Sequence, residues 1–155
     1  VATRFPPRRY AVCPNVSWAI LPWEADLLAV SLSGVRHEIE VKISAADLWR
    51  DQRKFKWKGD GPQAYVDFFW YAVPRDLVSD ALELARGNGS GVLLVSGMAP
   101  GEPYKTEVVL KPKRSQRIKS DAVTAAAVYR LASLRFWDLY HKEAREAEIG
   151  DDTES

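Results

Sequence analysis

Alternating hydrophobic and polar positions along the first third of the chain predict β-strands. Short apolar pieces at Tyr10–Cys13 and Val16–Ile20 flank Pro14-Asn15, which indicates a strand broken by a turn or bulge. The next two predicted strands, Trp23–Val30 and Val35–Ile43, are separated by only a few residues. The chain therefore opens with strands that include one tight hairpin.

The pattern then changes to one typical of helices alternating with buried strands. Ser44-Ala45-Ala46-Asp47 is similar to a helix-capping box, with Asp in place of Glu, and predicts a helix from Ala45 to about Lys58. The almost wholly apolar run Tyr65–Val73 predicts a strand buried on both faces, and Asp76–Arg86 predicts a short amphipathic helix.

Two more strands and a last helix complete the predicted order of elements. The strands are Val92–Ser96 and Thr106–Leu110, and the helix runs to about Glu146 from a cap at Ser120-Asp121. We predict one domain over residues 1–146 with an acidic tail over 147–155. The expected class is α/β, with a mixed sheet flanked by helices on both sides.

The hairpin places acidic side chains face to face. A three-residue loop with glycine third fits Leu32-Ser33-Gly34, and this register puts Asp26 opposite Glu40 and Glu24 opposite Lys42. Directly opposed residues share a face of the sheet, where like charges destabilise the pair. A divalent cation held by carboxylate oxygens would offset that cost.

Composition limits the class of protein. The chain has 155 residues, of which 46% are hydrophobic, enough for one packed domain. The single cysteine excludes an internal disulfide and is typical of a reducing compartment. Because no apolar run is long enough to span a bilayer and no signal-peptide pattern opens the chain, we expect a cytoplasmic protein with no membrane partner.

The distribution of charge is uneven. The net charge is +1, but Glu143–Ser155 has six acids and one arginine, a net of −5, which leaves +6 on the rest. A basic body with an acidic tail is common among proteins that bind nucleic acid, although a solubilising tail explains it equally well. Two groups of cations are candidates for nucleic-acid contact, which are Arg50, Arg53, Lys54 and Lys56, and then Lys111, Lys113, Arg114, Arg117 and Lys119.

The two basic groups differ in how strongly they indicate DNA contact. The helix that carries Arg50 also carries acids, so a solvated surface and a phosphate-contacting face both remain open. The run from Lys111 to Lys119 holds five cations and no acid, which favours nucleic-acid contact over a mobile loop.

Four motifs in a fixed order resemble the PD-(D/E)XK nuclease superfamily. They are Asp26, Glu40-Val41-Lys42, the Ser44-x-x-Asp47 helix start, and the strand end Ala72-Val73-Pro74. The likeness is greatest to MmcB-type DNA-repair proteins and their phage-encoded relatives. It implies a restriction-endonuclease-like fold and a metal-dependent nuclease acting on DNA in repair, recombination or phage DNA processing, in a bacterial or phage-infected cell.

The resemblance also implies roles for individual residues. Asp26 and Glu40 would bind Mg²⁺ or Mn²⁺ with the Val41 carbonyl, and Lys42 would hold or activate the attacking water. The chain lacks the further acid that members often carry on a helix before the hairpin, and Glu24 or Glu38 would replace it, although a surface position is favoured for Glu38.

Two other functions remain open. A non-catalytic nucleic-acid-binding module on the same fold predicts salt-dependent binding without a metal requirement. An adaptor that docks through its acidic tail is the weaker option. DNA is the expected partner, and the sequence leaves a homodimer open.

Overall fold

The computed structural model describes residues 1, 4–16, 20–54, 57, 61–97, 105–116, 118 and 120–136. Its strands are β1 (Tyr10–Val16), β2 (Ala25–Ser31), β3 (Arg36–Val41), β4 (Phe68–Val73), β5 (Gly91–Ser96) and β6 (Lys105–Leu110). Its helices are α1 (Ala45–Asp51), α2 (Val78–Asn88) and α3 (residues 125–136). Single 3₁₀ turns lie at Pro62–Ala64 and Arg75–Leu77. The predicted acidic tail lies outside the described residues.

The six strands form one open, mixed sheet in sequence order. Strand β3 pairs with β4, and β4 with β5, in parallel, while the remaining pairs are antiparallel. Each parallel pair requires a crossover, and α1 and α2 lie in these two connections. The predicted α/β class with a mixed sheet is confirmed.

The predicted hairpin register is confirmed. Leu27 pairs with Ile39, and the three pairs that follow keep the same register. The Ser31 N–H donates to the Val35 carbonyl at 2.8 Å, which closes the three-residue loop. Gly34 has φ 84°, the left-handed conformation that the third loop position requires.

The predicted break in the first strand is wrong. Strand β1 is continuous through Pro14, which pairs with Leu27, and Asn15 takes a φ of 50° within it. Proline is tolerated here because β1 is an edge strand, so one side of its backbone needs no ladder bond.

Two predicted helix limits are also wrong. The Ser44 hydroxyl caps α1 by accepting from the Asp47 N–H at 3.3 Å, as expected, but α1 ends at Asp51. The N–H groups of Arg53 and Lys54 then donate to carbonyls three positions back, which makes a tighter turn than an α-helix. Helix α3 begins at residue 125, where the Thr124 hydroxyl accepts from the Ala127 N–H at 3.1 Å, so the predicted cap at Ser120-Asp121 is not used.

The sheet has two buried faces of different construction. On the face that we call the helix face, Leu28 and Val30 belong to a cluster with Val128 of α3, and Phe69 and Tyr71 belong to a cluster with α1 and α2. On the opposite face, called the N-terminal face, the buried members are Phe5, Leu27, Ala29, Ile39, Trp70, Ala72 and Leu93. Within the described residues, the buried positions of all three helices belong to the helix face, so the prediction of helices on both sides of the sheet is wrong for this part of the chain.

Helices of the described residues are too short or too polar to cross a membrane.

Candidate functional site

The predicted site lies at the carboxyl end of β3, on the helix face. Glu40 is the second-to-last residue of β3 and is 2% exposed, and Lys42, which follows the strand, is 3% exposed. The Lys42 Nζ lies 2.8 Å from the Glu40 Oε2, so the two buried charges form an ion pair. Burying either charge without a partner would cost several kcal/mol.

Strand alternation explains why these charges are buried. Glu38 pairs with Leu28 on one side and with Phe69 on the other, so all three lie on the helix face. Glu38 and Glu40 thus form a polar stripe between two hydrophobic clusters. The Glu38 Oε1 accepts from the Trp23 Nε1–H at 3.0 Å. Sequence reasoning favoured a surface position for Glu38, which is wrong because Glu38 is fully buried.

Asp26 lies beside the same strand end. Continuing the observed register by one pair puts Asp26 across from Glu40, and the Asp26 Oδ2 accepts from the Val41 N–H at 2.8 Å. Asp26 is half-buried and Val41 is exposed, so this side of the site is open to solvent. The structure therefore brings together all four predicted residues of the site, whereas Glu24 is exposed.

Two acids of α1 complete the surroundings of Lys42. The Nζ lies 3.4 Å from the Asp51 Oδ1 and 3.7 Å from the Asp47 Oδ2, since α1 starts three residues after Lys42 and turns back over it. Burial alone would lower the pKa of Lys42, but Glu40, Asp51 and Asp47 together raise it above its usual value. Lys42 is therefore an ammonium at neutral pH and a hydrogen-bond donor.

Asp51 is the residue of this site that the sequence analysis missed. Its carboxylate is fully buried and accepts from the Trp57 Nε1–H at 3.1 Å and the Tyr71 hydroxyl at 3.4 Å. Lys54 Nζ lies 3.1 Å from it. Burial, and then the charge of Asp51, raise the pKa of Tyr71, which keeps its hydroxyl protonated as a donor. The missed signal was spacing, because Asp47 and Asp51 are four apart and share one side of α1.

The residues present suit a hard divalent cation in donor type. Asp26, Glu40 and the Val41 carbonyl offer oxygen ligands, which Mg²⁺ prefers, and Mg²⁺ sites often use only one or two carboxylates. The described part of the chain holds no group of three or more His, Cys, Asp or Glu arranged as metal ligands. The ion pair with Lys42 and the Val41 N–H also offset the opposed acids, so charge repulsion alone does not require a metal.

The predicted nucleic-acid contacts lie in two separate places. Arg50 and Arg53 are exposed near the site, and Lys54 bonds Asp51. Lys111, Lys113 and Arg114 lie at the opposite end of the sheet, where the Lys113 N–H donates to the Gly89 carbonyl beside the start of β5. Lys56, Arg117 and Lys119 lie outside the described residues.

Comparison with known proteins identifies a fold and no activity. No protein-family model and no curated protein matches this chain. A solved structure, the SPO1766 protein of unknown function from Silicibacter pomeroyi, matches with a TM-score of 0.51 and 17% sequence identity, covering 93% of this chain and 83% of that one. At this level of identity, the chain is similar to that protein in fold alone.

Proposed function

We propose that this chain is a metal-dependent DNA nuclease whose site is formed by Asp26, Glu40, Val41 and Lys42. The observation that carries the proposal is the convergence of two carboxylates and a buried ammonium around the backbone of Val41. The Lys42–Glu40 contact of 2.8 Å and the Asp26–Val41 contact of 2.8 Å fix these groups at one strand end.

The cost of this arrangement supports a functional interpretation. Buried ion pairs are often no better for stability than apolar side chains of similar volume. Here one ammonium lies within 4 Å of three carboxylates, in a sheet whose neighbouring strands are apolar on the same face. Stability alone does not favour this set of residues, whereas phosphodiester hydrolysis needs charged groups held in place.

Each residue would have a distinct task. Asp26 and Glu40 would hold Mg²⁺ or Mn²⁺ with the Val41 carbonyl, and the ion would lower the pKa of a bound water and polarise the phosphate. The Lys42 ammonium would donate to the attacking water or to a non-bridging oxygen, adding positive charge where negative charge develops. Asp51 and Asp47 would keep Lys42 in position.

The most direct test uses Asp26, because it can be changed with little damage to the fold. Asp26→Asn keeps an oxygen that can accept from the Val41 N–H but removes the charge. We expect it to lower Mg²⁺-dependent cleavage of plasmid and oligonucleotide DNA by about 10²-fold or more, in line with losing one essential group. Mn²⁺ binding, measured by electron paramagnetic resonance, should weaken in parallel.

A remote carboxylate supplies the control. Glu83 is exposed on α2, and Glu83→Gln removes the same charge without touching the site, so cleavage and Mn²⁺ binding should be unchanged. Full cleavage by Asp26→Asn with Glu40→Gln would refute the proposal. Metal-independent DNA binding by a wild-type protein that never cleaves would instead indicate the non-catalytic module.

A further inference from the structure

The chain after β6 forms a fixed bridge across the amino ends of two central strands. The Lys113 N–H donates to the Gly89 carbonyl at 2.8 Å, just before β5, and the Ser115 N–H donates to the Asp67 carbonyl at 2.8 Å, just before β4. The basic residues between these bonds are therefore held in place by backbone contacts and are not carried on a loose loop.

A basic groove lies between this bridge and the carboxyl end of α2. Its walls include the cations Arg86, Lys113 and Arg114, together with Gln63 and Asn88, and none of the described residues that line it is acidic. The negative end of the α2 dipole accounts for a single cation at Arg86, but it does not account for three.

The three cations are not equivalent. The Arg114 Nε and Nη2 both donate to the Asp67 Oδ1, at 3.0 and 2.9 Å, so an acid already offsets the charge of Arg114. Among the described residues, no carboxylate lies within 4.0 Å of the Arg86 or Lys113 side chains, which are both exposed. Two cations are thus available to an anion from outside.

A buried hydroxyl lies beside the groove. Ser90 is 3% exposed, and its Oγ makes no hydrogen bond within the described part of the chain. It lines a small cavity that shares Gln63, Asn88 and Lys113 with the groove. This cavity is large enough for about one water molecule, and Asp67, Trp57 and Phe69 also line it, so it adds one polar hydroxyl beside the groove.

The groove is far from the candidate catalytic site. Arg114 bonds Asp67, and Tyr71, the strand partner of Glu40, lies four residues after Asp67. Four residues of strand span about 13 Å, which is the distance between the groove and the site along the strands. Strands β3 and β5 are two positions apart in the sheet, which adds about 10 Å across it. The two places are thus separated by on the order of 15 Å, which is about five base pairs of duplex DNA.

We infer that this groove is a second anchor for the sugar–phosphate backbone of DNA, held by Arg86 and Lys113 and distinct from the cleavage site. The inference rests on the proposed function only in taking DNA as the polyanion. Because both anchors must be filled by one molecule, affinity should rise steeply when the DNA becomes longer than about five base pairs.

The test measures binding of the full chain to fluorescein-labelled DNA hairpins with stems of about 4 and about 14 base pairs. Binding is read by fluorescence anisotropy, and EDTA in the buffer prevents cleavage by removing divalent metal. A labelled single strand of about 14 nucleotides shows whether duplex or single-stranded DNA is anchored. The variant is Arg86→Gln with Lys113→Gln. The control, Arg8→Gln with Arg130→Gln, removes two exposed cations elsewhere.

We expect the groove variant to lose about tenfold in affinity for the long hairpin, with a salt slope smaller by about two, and to bind the short hairpin as wild type does. The control should bind like wild type. Equal affinity of the groove variant and wild type for the long hairpin would overturn the inference, even if wild type cleaves DNA. Loss of affinity in a protein that never cleaves would support the anchor and count against the nuclease.

Discussion

Strand β3 buries titratable side chains on both of its faces, in two different ways. On the helix face, Glu40 is paired with Lys42, which also contacts Asp51. On the N-terminal face, His37 lies among the rings of Phe5, Tyr10, Phe68 and Trp70. Its Nδ1 accepts from the Trp70 Nε1–H at 3.2 Å, so the imidazole is neutral with its proton on Nε2.

The environment of His37 is typical of a structural role, whereas the network of Glu40 and Lys42 is typical of a functional site. A neutral imidazole among aromatic rings satisfies its hydrogen bond and leaves no net charge inside the protein. A charge network places one positive and several negative groups together beside the solvent, and removing these groups from water costs free energy. We therefore expect the helix face of β3 to respond strongly to removal of a charge, and the N-terminal face to respond strongly to addition of one.

The largest effect should come from removing Lys42. Lys42→Met removes the ammonium that lies among three carboxylates, and the expected loss is about 3–5 kcal/mol in the free energy of unfolding. Urea denaturation near neutral pH would measure it. Lys54→Met is the matched control, because Lys54 also contacts Asp51 but is 46% exposed, so its loss should be below about 1 kcal/mol.

Equal losses for the two lysine variants would break the comparison. They would mean that burial does not determine how much an ion pair at Asp51 contributes to the free energy of unfolding. The buried network would then stabilise the protein no more than a surface ion pair does.

Protonating His37 should give the next largest effect. Burial lowers the pKa of His37 from 6.5 to about 4, an effect that Asp67 partly opposes and Arg4 reinforces. Above pH 6.5 the imidazole is neutral in both states and makes no pH-dependent contribution. Between pH 6.5 and 4 only the unfolded chain binds the proton, so stability falls as the pH falls, by about 3 kcal/mol in total.

The measurement needs a variant, because carboxylates also titrate toward the lower end of this range. His37→Gln keeps a side chain that can accept from Trp70 but does not titrate. The unfolding free energy of wild type should fall by about 3 kcal/mol more than that of His37→Gln between pH 6.5 and 4. Parallel pH profiles would show that His37 has the same pKa in the folded and unfolded states, and would contradict the prediction.

The sequence was a good guide where local chemistry decides the structure. Gly34 specified the hairpin loop, and with it the register that brings Asp26 beside Glu40. The Ser44 cap was likewise readable, because it depends on residues three apart. These features need no knowledge of the rest of the chain.

Features that depend on tertiary contacts could not be predicted in the same way. The end of α1 at Asp51 reflects a carboxylate that turns inward to Trp57 and Tyr71, and Tyr71 is twenty residues away. The sequence of the basic run after β6 does not show at which end of the sheet it lies, and the bonds to Gly89 and Asp67 place it at the end opposite to the candidate site. Glu38 was misjudged because no local pattern shows that Trp23 covers it.

Two tryptophans allow a finer comparison of the faces. Trp23 donates to the Glu38 carboxylate on the helix face, and Trp70 donates to the His37 imidazole on the N-terminal face. Trp23→Phe and Trp70→Phe remove the same indole N–H and a similar volume from sites that are 8% and 5% exposed. The cavity terms should therefore nearly cancel between the two variants.

What remains is the difference between the two acceptors. A buried carboxylate loses more when a donor is removed than a neutral ring nitrogen does, so Trp23→Phe should be less stable than Trp70→Phe by about 1 kcal/mol. Thermal and urea unfolding of both variants at neutral pH would measure this gap. If Trp70→Phe were the less stable variant, removing the donor to His37 would cost more stability than removing the donor to Glu38. The contrast between the two faces of β3 would then have to be reversed.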